Sequence, residues 1–417
     1  MGPGDPPARS RPLPAWGPAD LAAALAPPVA VLGGLVAAGR RYDLVAWQPV
    51  ARASTLEGAL SLAGRAAPEA AGALPPGAAA LLGAVVGTLA WDGSARFWLP
   101  GAAALFDRHT GTLWYRGELP APEPAGAPGA SGGVRTGSGP PAAARPLWDR
   151  AGFSTAVQEA RRRMAAGVLQ KVVLSVPLSA PCGLPPAGVF RRLTASDPPG
   201  LRFLLADGPG APVLAGVSPE PLVTLTGRRA ELHLLAGTRP EGAGPAAALL
   251  ASRKDRFEHA VAVEQGRRDL LSVCRPGSVA VESFLVPERH PGLVHLASHI
   301  AGELREDAGP ADLIRACFPA GTVSGVPRGP AVALIEALEP VPRGWYAGAV
   351  GALLPGGDVQ LWLTIRTAAI EGGTVRVRAG AGVVPESEPE AEWAECLAKA
   401  RRTLEALGAE VVDAERA

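Results

Sequence analysis

Two acidic pairs have the spacing to do chemistry. Asp255 and Glu258 lie three apart in SRKDRFEHAVAVEQ, and Glu392 and Glu395 three apart in EPEAEWAECLAKA. On helices this spacing puts both members of a pair on one face. Two such faces turned toward one small volume would suit a hard cation such as Mg²⁺, which takes oxygen ligands. Turned to water, they would be ordinary solvated helix surface. Lys399, four after Glu395, fits an ion pair or an anion-binding lysine. Lys171 opens the apolar run KVVLSVPLS. At a strand's solvent end it needs no explanation; buried beside a pocket, a lysine loses charge more readily and can act as a general base. Glu220, in GVSPEPLV, reads alone as a turn residue, or as the acid complementary to Lys171 across a pocket. Arg366 interrupts LTIRTAAI, and a buried arginine needs an anion, for which a carboxylate suits its planar fork. His295, in LVHLASHI, fits packed core or an active site.

These residues need elements to position them. Phe153 to Gly167 reads as a helix, and 171–179, 202–207, 212–218, 221–227 and 230–235 have strand length and composition. Their short connections favour antiparallel pairing. Residues 252–273 read as a helix carrying the first acidic pair. Residues 358–370 and 374–384 flank Glu371-Gly372-Gly373 as a hairpin. The final helix has capping-box spacing at Ser387 and Glu390, Pro389 in its first turn, and an apolar stripe through Trp393, Cys396, Leu397, Ala400, Leu404 and Leu407 before Gly408. The expected class is α+β with extensive antiparallel sheet.

The chain has 417 residues, which favours more than one domain or one large domain with an appendage. Residues 1–146 form an expected N-terminal subdomain ending in a Pro/Gly/Ala-rich loop at 117–146; residues 147–417 carry the chemistry. Lys+Arg 40 against Asp+Glu 39 leaves a formal charge of +1, which removes the electrostatic case for a nucleic-acid partner. Four scattered cysteines give no metal or disulfide spacing and suit a reducing compartment. The uncharged stretch from Ala70 to Trp91 is long enough to span a bilayer, but its Ala, Gly and Pro75-Pro76 favour a buried helix. With no signal-peptide pattern at the start, the expectation is a cytoplasmic protein without a membrane partner. Phosphate-binding and nucleophile-elbow motifs fail: RAGAGVVPE has Pro385 where a dinucleotide loop needs glycine, and GTVSG places its serine one position late.

Taken together, QKVVLSVPL, LAGVSPEPLV, LLAGTRP, SRKDRFEHAVAVEQ, VHLASHIAGEL, FPAGTVSGVP, RGWYAGAVG, LTIRTAAI and RAGAGVVPESEPEAEWAECLAKA resemble the chorismate-utilising enzymes in sequence and order. The resemblance covers about residues 150–408 and is most like the isochorismate synthases. It implies two packed antiparallel sheets with helices outside. It implies Mg²⁺ held by Glu258 and Glu395, supported by Asp255 and Glu392. Arg366 and Lys399 look like partners of substrate carboxylates, with Tyr346, Gly380 and Gly382 in the same pocket and Ala236, Gly237 and Thr238 on its other side.

Members that add water to chorismate have lysine at the position of Lys171; those that add ammonia generally do not. Ala236 stands where aminodeoxychorismate synthases have a nucleophilic lysine. The resemblance therefore implies isochorismate formation: Lys171 takes a proton from water attacking C2, and Glu220, its pKa raised, protonates the departing C4 hydroxyl. His295 joins them as a catalytic candidate. FPAGTVSGVPR departs from this, being closer to the anthranilate and salicylate synthase form. A salicylate synthase, or an ammonia-using enzyme like anthranilate synthase component I, stays open. A water-adding enzyme needs no glutaminase subunit, and a monomer is expected.

Overall fold

Glycine and proline close most of the strand-forming runs, and antiparallel neighbours follow at short range. The computed structural model describes residues 8–15, 17–66, 74–75, 78–120, 141–196, 199–208, 211–240, 244–290 and 293–413. In the first part of the chain are β1 (Arg9–Pro12), α1 (Pro18–Ala24), β2 (Val29–Ala37), β3 (Arg40–Ala53), α2 (Leu56–Arg65), α3 (Ala78–Leu82), β4 (Val85–Leu89), β5 (Ala95–Asp107) and β6 (Thr112–Arg116). The middle holds β7 (Ala142–Pro146), α4 (Arg150–Ala165), β8 (Lys171–Pro181), α5 (Pro186–Thr194), β9 (Leu201–Ala206), β10 (Val213–Ser218), β11 (Pro221–Thr226), β12 (Arg229–Pro240), α6 (Pro245–Ala251) and α7 (Arg253–Val273). Next come β13 (Ala280–His290), β14 (Leu293–Glu303), α8 (Pro310–Cys317), β15 (Gly325–Val326), α9 (Arg328–Leu338) and β16 (Ala349–Leu353). The chain closes with β17 (Val359–Leu363), β18 (Thr367–Glu371), β19 (Thr374–Val383), α10 (Pro389–Ala406) and β20 (Ala409–Val411).

One arm of the ladder runs β13–β14–β12–β11–β17–β16–β4–β5–β3–β2. It continues as β2–β9–β10–β18–β19–β8. All these pairings are antiparallel; β20 lies parallel to β7. The largest buried cluster draws Val172, Leu174 and Val176 from β8 and Leu361 and Leu363 from β17, so both arms close on one core. The α+β class and its antiparallel-dominated sheet are therefore present. Strands from residues 1–146 enter the same ladder, β2 against β9 and β4 against β16. Among the described residues no helix is long and apolar enough to cross a membrane.

Several local expectations change. The run 358–370 is two strands, because Arg366 adopts φ +50, a left-handed conformation that ends an extended run. Consequently β17 belongs to one part of the ladder and β18 to another. The hairpin between β18 and β19 is present, with Gly372 and Gly373 both at positive φ. The buried helix expected over 70–91 is instead α3 followed by β4, since Val85 and Val86 pair with β16; residues 70–73 and 76–77 lie outside the described residues. In the expected loop 117–146, the last five residues form β7, while 121–140 lie outside the described residues. The N-cap of α10 is Glu388 without a side-chain cap; Ser387 turns inward and accepts from the Val384 amide. The stripe on α10 is buried as expected, and Phe153 of α4 packs edge-on between Trp148 and Trp393.

Candidate active site

A cavity of about 100 Å³ opens where β12, α7, β19 and α10 approach one another. In β12 the register against β14 slips between Ala236 and Thr238. Gly237, at φ +81, takes up the extra residue as a β-bulge, which turns Thr238 and His295 into the same space. Thr238 Oγ1 is 2.8 Å from His295 Nδ1, and Arg366 Nη2 is 3.2 Å from His295 Nε2. A guanidinium can only donate, so Nε2 accepts and the imidazole proton lies on Nδ1, toward Thr238. Both ring nitrogens are thus engaged in holding neighbours.

Glu220 lies in the tight link between β10 and β11, its carbonyl fixed by the Leu363 amide at 3.0 Å. It is 4% exposed, and Oε1 has no hydrogen-bond partner. Burial pushes its pKa up to about 7, against smaller opposing effects from Thr322, the Leu235 backbone, His233 and Lys171. Across the cavity, Arg366 has its pKa lowered to about 10 by loss of water and by repulsion from Arg402. Tyr346 lines the same wall, its hydroxyl pushed up to about 12 by burial.

The four carboxylates do not form one ligand cluster. Each is matched instead to its own cation. Glu258 Oε1 is 3.1 Å from Lys171 Nζ, Glu395 Oε1 is 2.6 Å from Lys399, Asp255 Oδ2 is 3.2 Å from Arg239, and Glu392 bonds Lys254. Among the described residues, the acidic or histidine trio whose ligand atoms lie within 4.8 Å of one another is Glu231, Glu282 and His299, elsewhere on the sheet. Glu392 is fully buried, and burial raises its pKa against the pull of Lys254. For Lys399 burial opposes the charge, but the adjoining Glu395 outweighs it and raises the pKa. Conversely, burial disfavours Glu395 as an anion, yet Lys399 and Lys254 hold its pKa below the usual value.

Glu258 and Glu395 do line one cavity, together with Gly380 and Gly382. A Cβ on Gly382 would fall 2.0 Å from Glu258 Oε1, and one on Gly380 would fall 2.6 Å from the Tyr346 hydroxyl. Glu258 against the bare backbone of Gly382, with Glu395 on the same cavity, offers an oxygen-only donor set that fits a hard divalent cation. Lys171 is fully buried at the start of β8 but is not part of the cavity wall; Asp255 and Glu392 also stand behind it. The remaining sequence-derived candidates, Glu220, His295, Ala236, Gly237, Thr238, Tyr346, Arg366, Gly380, Gly382 and Lys399, all line it.

Two supports escaped the sequence reading. His259 is fully buried; its Nδ1 donates to the Ala236 carbonyl at 3.0 Å and its Nε2 accepts from Ser298 at 2.7 Å. Burial lowers its pKa to about 4, so it is a neutral strut behind the bulge. Glu339 joins Arg343 and Arg378, and Arg343 also reaches the carbonyls of Val173 and Val323 and stacks over Trp91 and Tyr346. The histidine of DRFEH and the arginine of RGWYAG were the available signals, but neither string says that its polar group faces inward.

Residues 40–405 match the family described as chorismate binding enzyme. Anthranilate synthase component 1 of Streptomyces coelicolor is 40% identical over 261 residues, covering 61% of this chain and 51% of that protein. The chain spans about half the length of the curated relatives it matches. Among solved structures, anthranilate synthase component I from Streptococcus pneumoniae superposes with TM-score 0.75 at 24% identity, over 89% of this chain and 93% of that one. The menaquinone-specific isochorismate synthase from Escherichia coli gives 0.77 at 23% identity, over 97% and 95%. Those two likenesses speak for the fold. The family match runs from β3 through α10 and takes in every residue lining the cavity, and the chain belongs to the chorismate-binding enzymes.

Proposed function

We propose that the protein converts chorismate by loss of the C4 hydroxyl with addition of a nucleophile at C2, and that the nucleophile is ammonia, as in an anthranilate synthase component I. Glu220 carries the chemistry. Hydroxide is a poor leaving group, and a carboxyl with pKa about 7, buried and facing a cation-lined cavity, can protonate it near neutral pH. The hydroxyl leaves as water, the ring double bonds shift, and the proton lost by the added ammonia restores Glu220. Arg366 and Lys399 take the substrate carboxylates, Tyr346 and the backbone of Gly380 and Gly382 form one wall, and the Ala236–Thr238 bulge forms the other. His295 positions Arg366. Mg²⁺, when bound, would be held by Glu258 and Glu395, with Asp255 and Glu392 behind them, and would anchor the ring carboxylate.

Three observations support ammonia over the isochorismate reading. The relatives at about 40% identity bear the name anthranilate synthase component 1. FPAGTVSGVPR has the same leaning. Lys171 is paired with Glu258 and stands behind the wall, whereas ammonia needs no base to become nucleophilic. A glutaminase partner supplying ammonia then replaces the expectation of a self-sufficient monomer. The second reading, water addition by an isochorismate or salicylate synthase, is favoured by Lys171 itself, a fully buried amine beside the site.

The test is to incubate purified protein with chorismate and Mg²⁺, with and without an ammonium salt, and to separate the products. An aminated product appearing with ammonium alone is the expected result. Isochorismate formed equally well without ammonium would overturn it in favour of water, and salicylate with pyruvate would add an elimination step.

A further inference from the structure

The reactive cavity opens outward into a larger one of about 570 Å³, and the two share Pro219, Thr238, Arg366, Glu395 and Lys399. Helices α5 and α10 wall the outer space. Arg192 enters from α5, and Arg402 from α10 three residues beyond Lys399. Small side chains, Ala394 and Ala398, leave the α10 wall open between them. Four lining side chains are cationic (Arg192, Arg366, Lys399 and Arg402) against the single carboxylate of Glu395. This local excess of three positive charges stands in a chain whose formal total is +1. Arg402 is near enough to Arg366 for the two to repel. Like charges crowded into a concavity with low-dielectric walls focus the field and draw in an anion, whose arrival relieves their repulsion.

We infer that the outer cavity is a collecting site for a small dicarboxylate, held first by Arg192 and Arg402 and then passed inward to Arg366. That the dicarboxylate is chorismate rests on the function proposed above. Neither arginine reaches the inner cavity wall, so their contribution is to capture, in association rate and weak binding, rather than to bond rearrangement. Screening by salt weakens such capture, since the Debye length falls from about 30 Å at 0.01 M to about 8 Å at 0.15 M.

The experiment measures kcat/KM for chorismate loss against sodium chloride concentration, alongside calorimetric binding of chorismate. In the native protein kcat/KM should fall steeply with salt. In R192E/R402E it should be about tenfold lower or more at low salt, with the salt dependence flattened or inverted. R402K should retain the native slope. Arg401 is an exposed neighbour outside the cavity, and R401E should stay within about twofold of native. Native values and slope in R192E/R402E, with chorismate still bound, would overturn the collecting site alone. Equal losses in R401E and R192E/R402E would do the same by showing a general charge effect. Failure of the native protein to bind chorismate would instead overturn the function on which the ligand's identity rests.

Discussion

A carboxyl group with 4% exposure and an unpartnered oxygen is costly to ionise, and Glu220 makes that cost usable. Its folded pKa of about 7 lies above the 4.5 of an unperturbed glutamate. The stability it contributes is therefore full below pH 4.5 and is lost as the pH rises through 7, by about 3 kcal/mol in all. E220Q should accordingly be more stable than native at pH 8 by about 2–3 kcal/mol and indistinguishable at pH 4.5, measured by denaturant unfolding. The same change should cut chorismate turnover by about 10²–10⁴-fold. A variant less stable than native at pH 8 would mean that Glu220 is ionised and paired. Lys171 is the opposite case. K171Q should destabilise the fold by about 3 kcal/mol, because Glu258 is left without its counter-charge. Its ammonium-dependent turnover should survive within about tenfold of native, whereas a general base would be worth 10²-fold or more.

At the scale of elements, the site depends on β19 and α7 lying close enough for an acidic side chain to touch backbone. Gly382 is the tightest point, since an added Cβ would meet Glu258 2.0 Å away. G382A should push that carboxylate aside, raise the Mg²⁺ concentration needed for half-maximal activity, and lower kcat/KM by at least about tenfold, a displacement of only 1.4 kcal/mol. Unchanged Mg²⁺ dependence would remove Glu258 from the metal's surroundings. Helices α4, α7 and α10 and strands β8 to β12 were legible because their apolar periodicity is set by the same core they build. The break at Arg366 was not, because a left-handed residue in LTIRTAAI leaves the alternation intact. The bulge at Gly237 shares that difficulty. The pairing of each carboxylate with a cation was also hidden: Lys171 and Glu258, or Lys254 and Glu392, meet only after α7 and α10 dock on the sheet. Spacing showed which acids share a face, not what faces them.

For the whole molecule, the N-terminal region was the least legible, since its Ala, Gly and Leu runs offer little contrast between buried helix and buried strand. In the structure β2, β4 and β7 bond to β9, β16 and β8, so a chain lacking residues 1–146 would expose unpaired edges on both arms. Such a chain should be insoluble or lack native circular dichroism; a soluble, cooperatively melting fragment would show that residues 147–417 fold alone. The most direct measurement on the intact protein is the pH dependence of kcat/KM for chorismate loss, made with Mg²⁺ present and free ammonia held constant. That profile reports groups of the free enzyme. An acid at Glu220 with pKa about 7 requires a rate that is level below neutrality and falls about tenfold per pH unit above it. A profile flat from pH 6 to about 8.5 would contradict it, because no proton from Glu220 would then be needed for the C4 hydroxyl to leave.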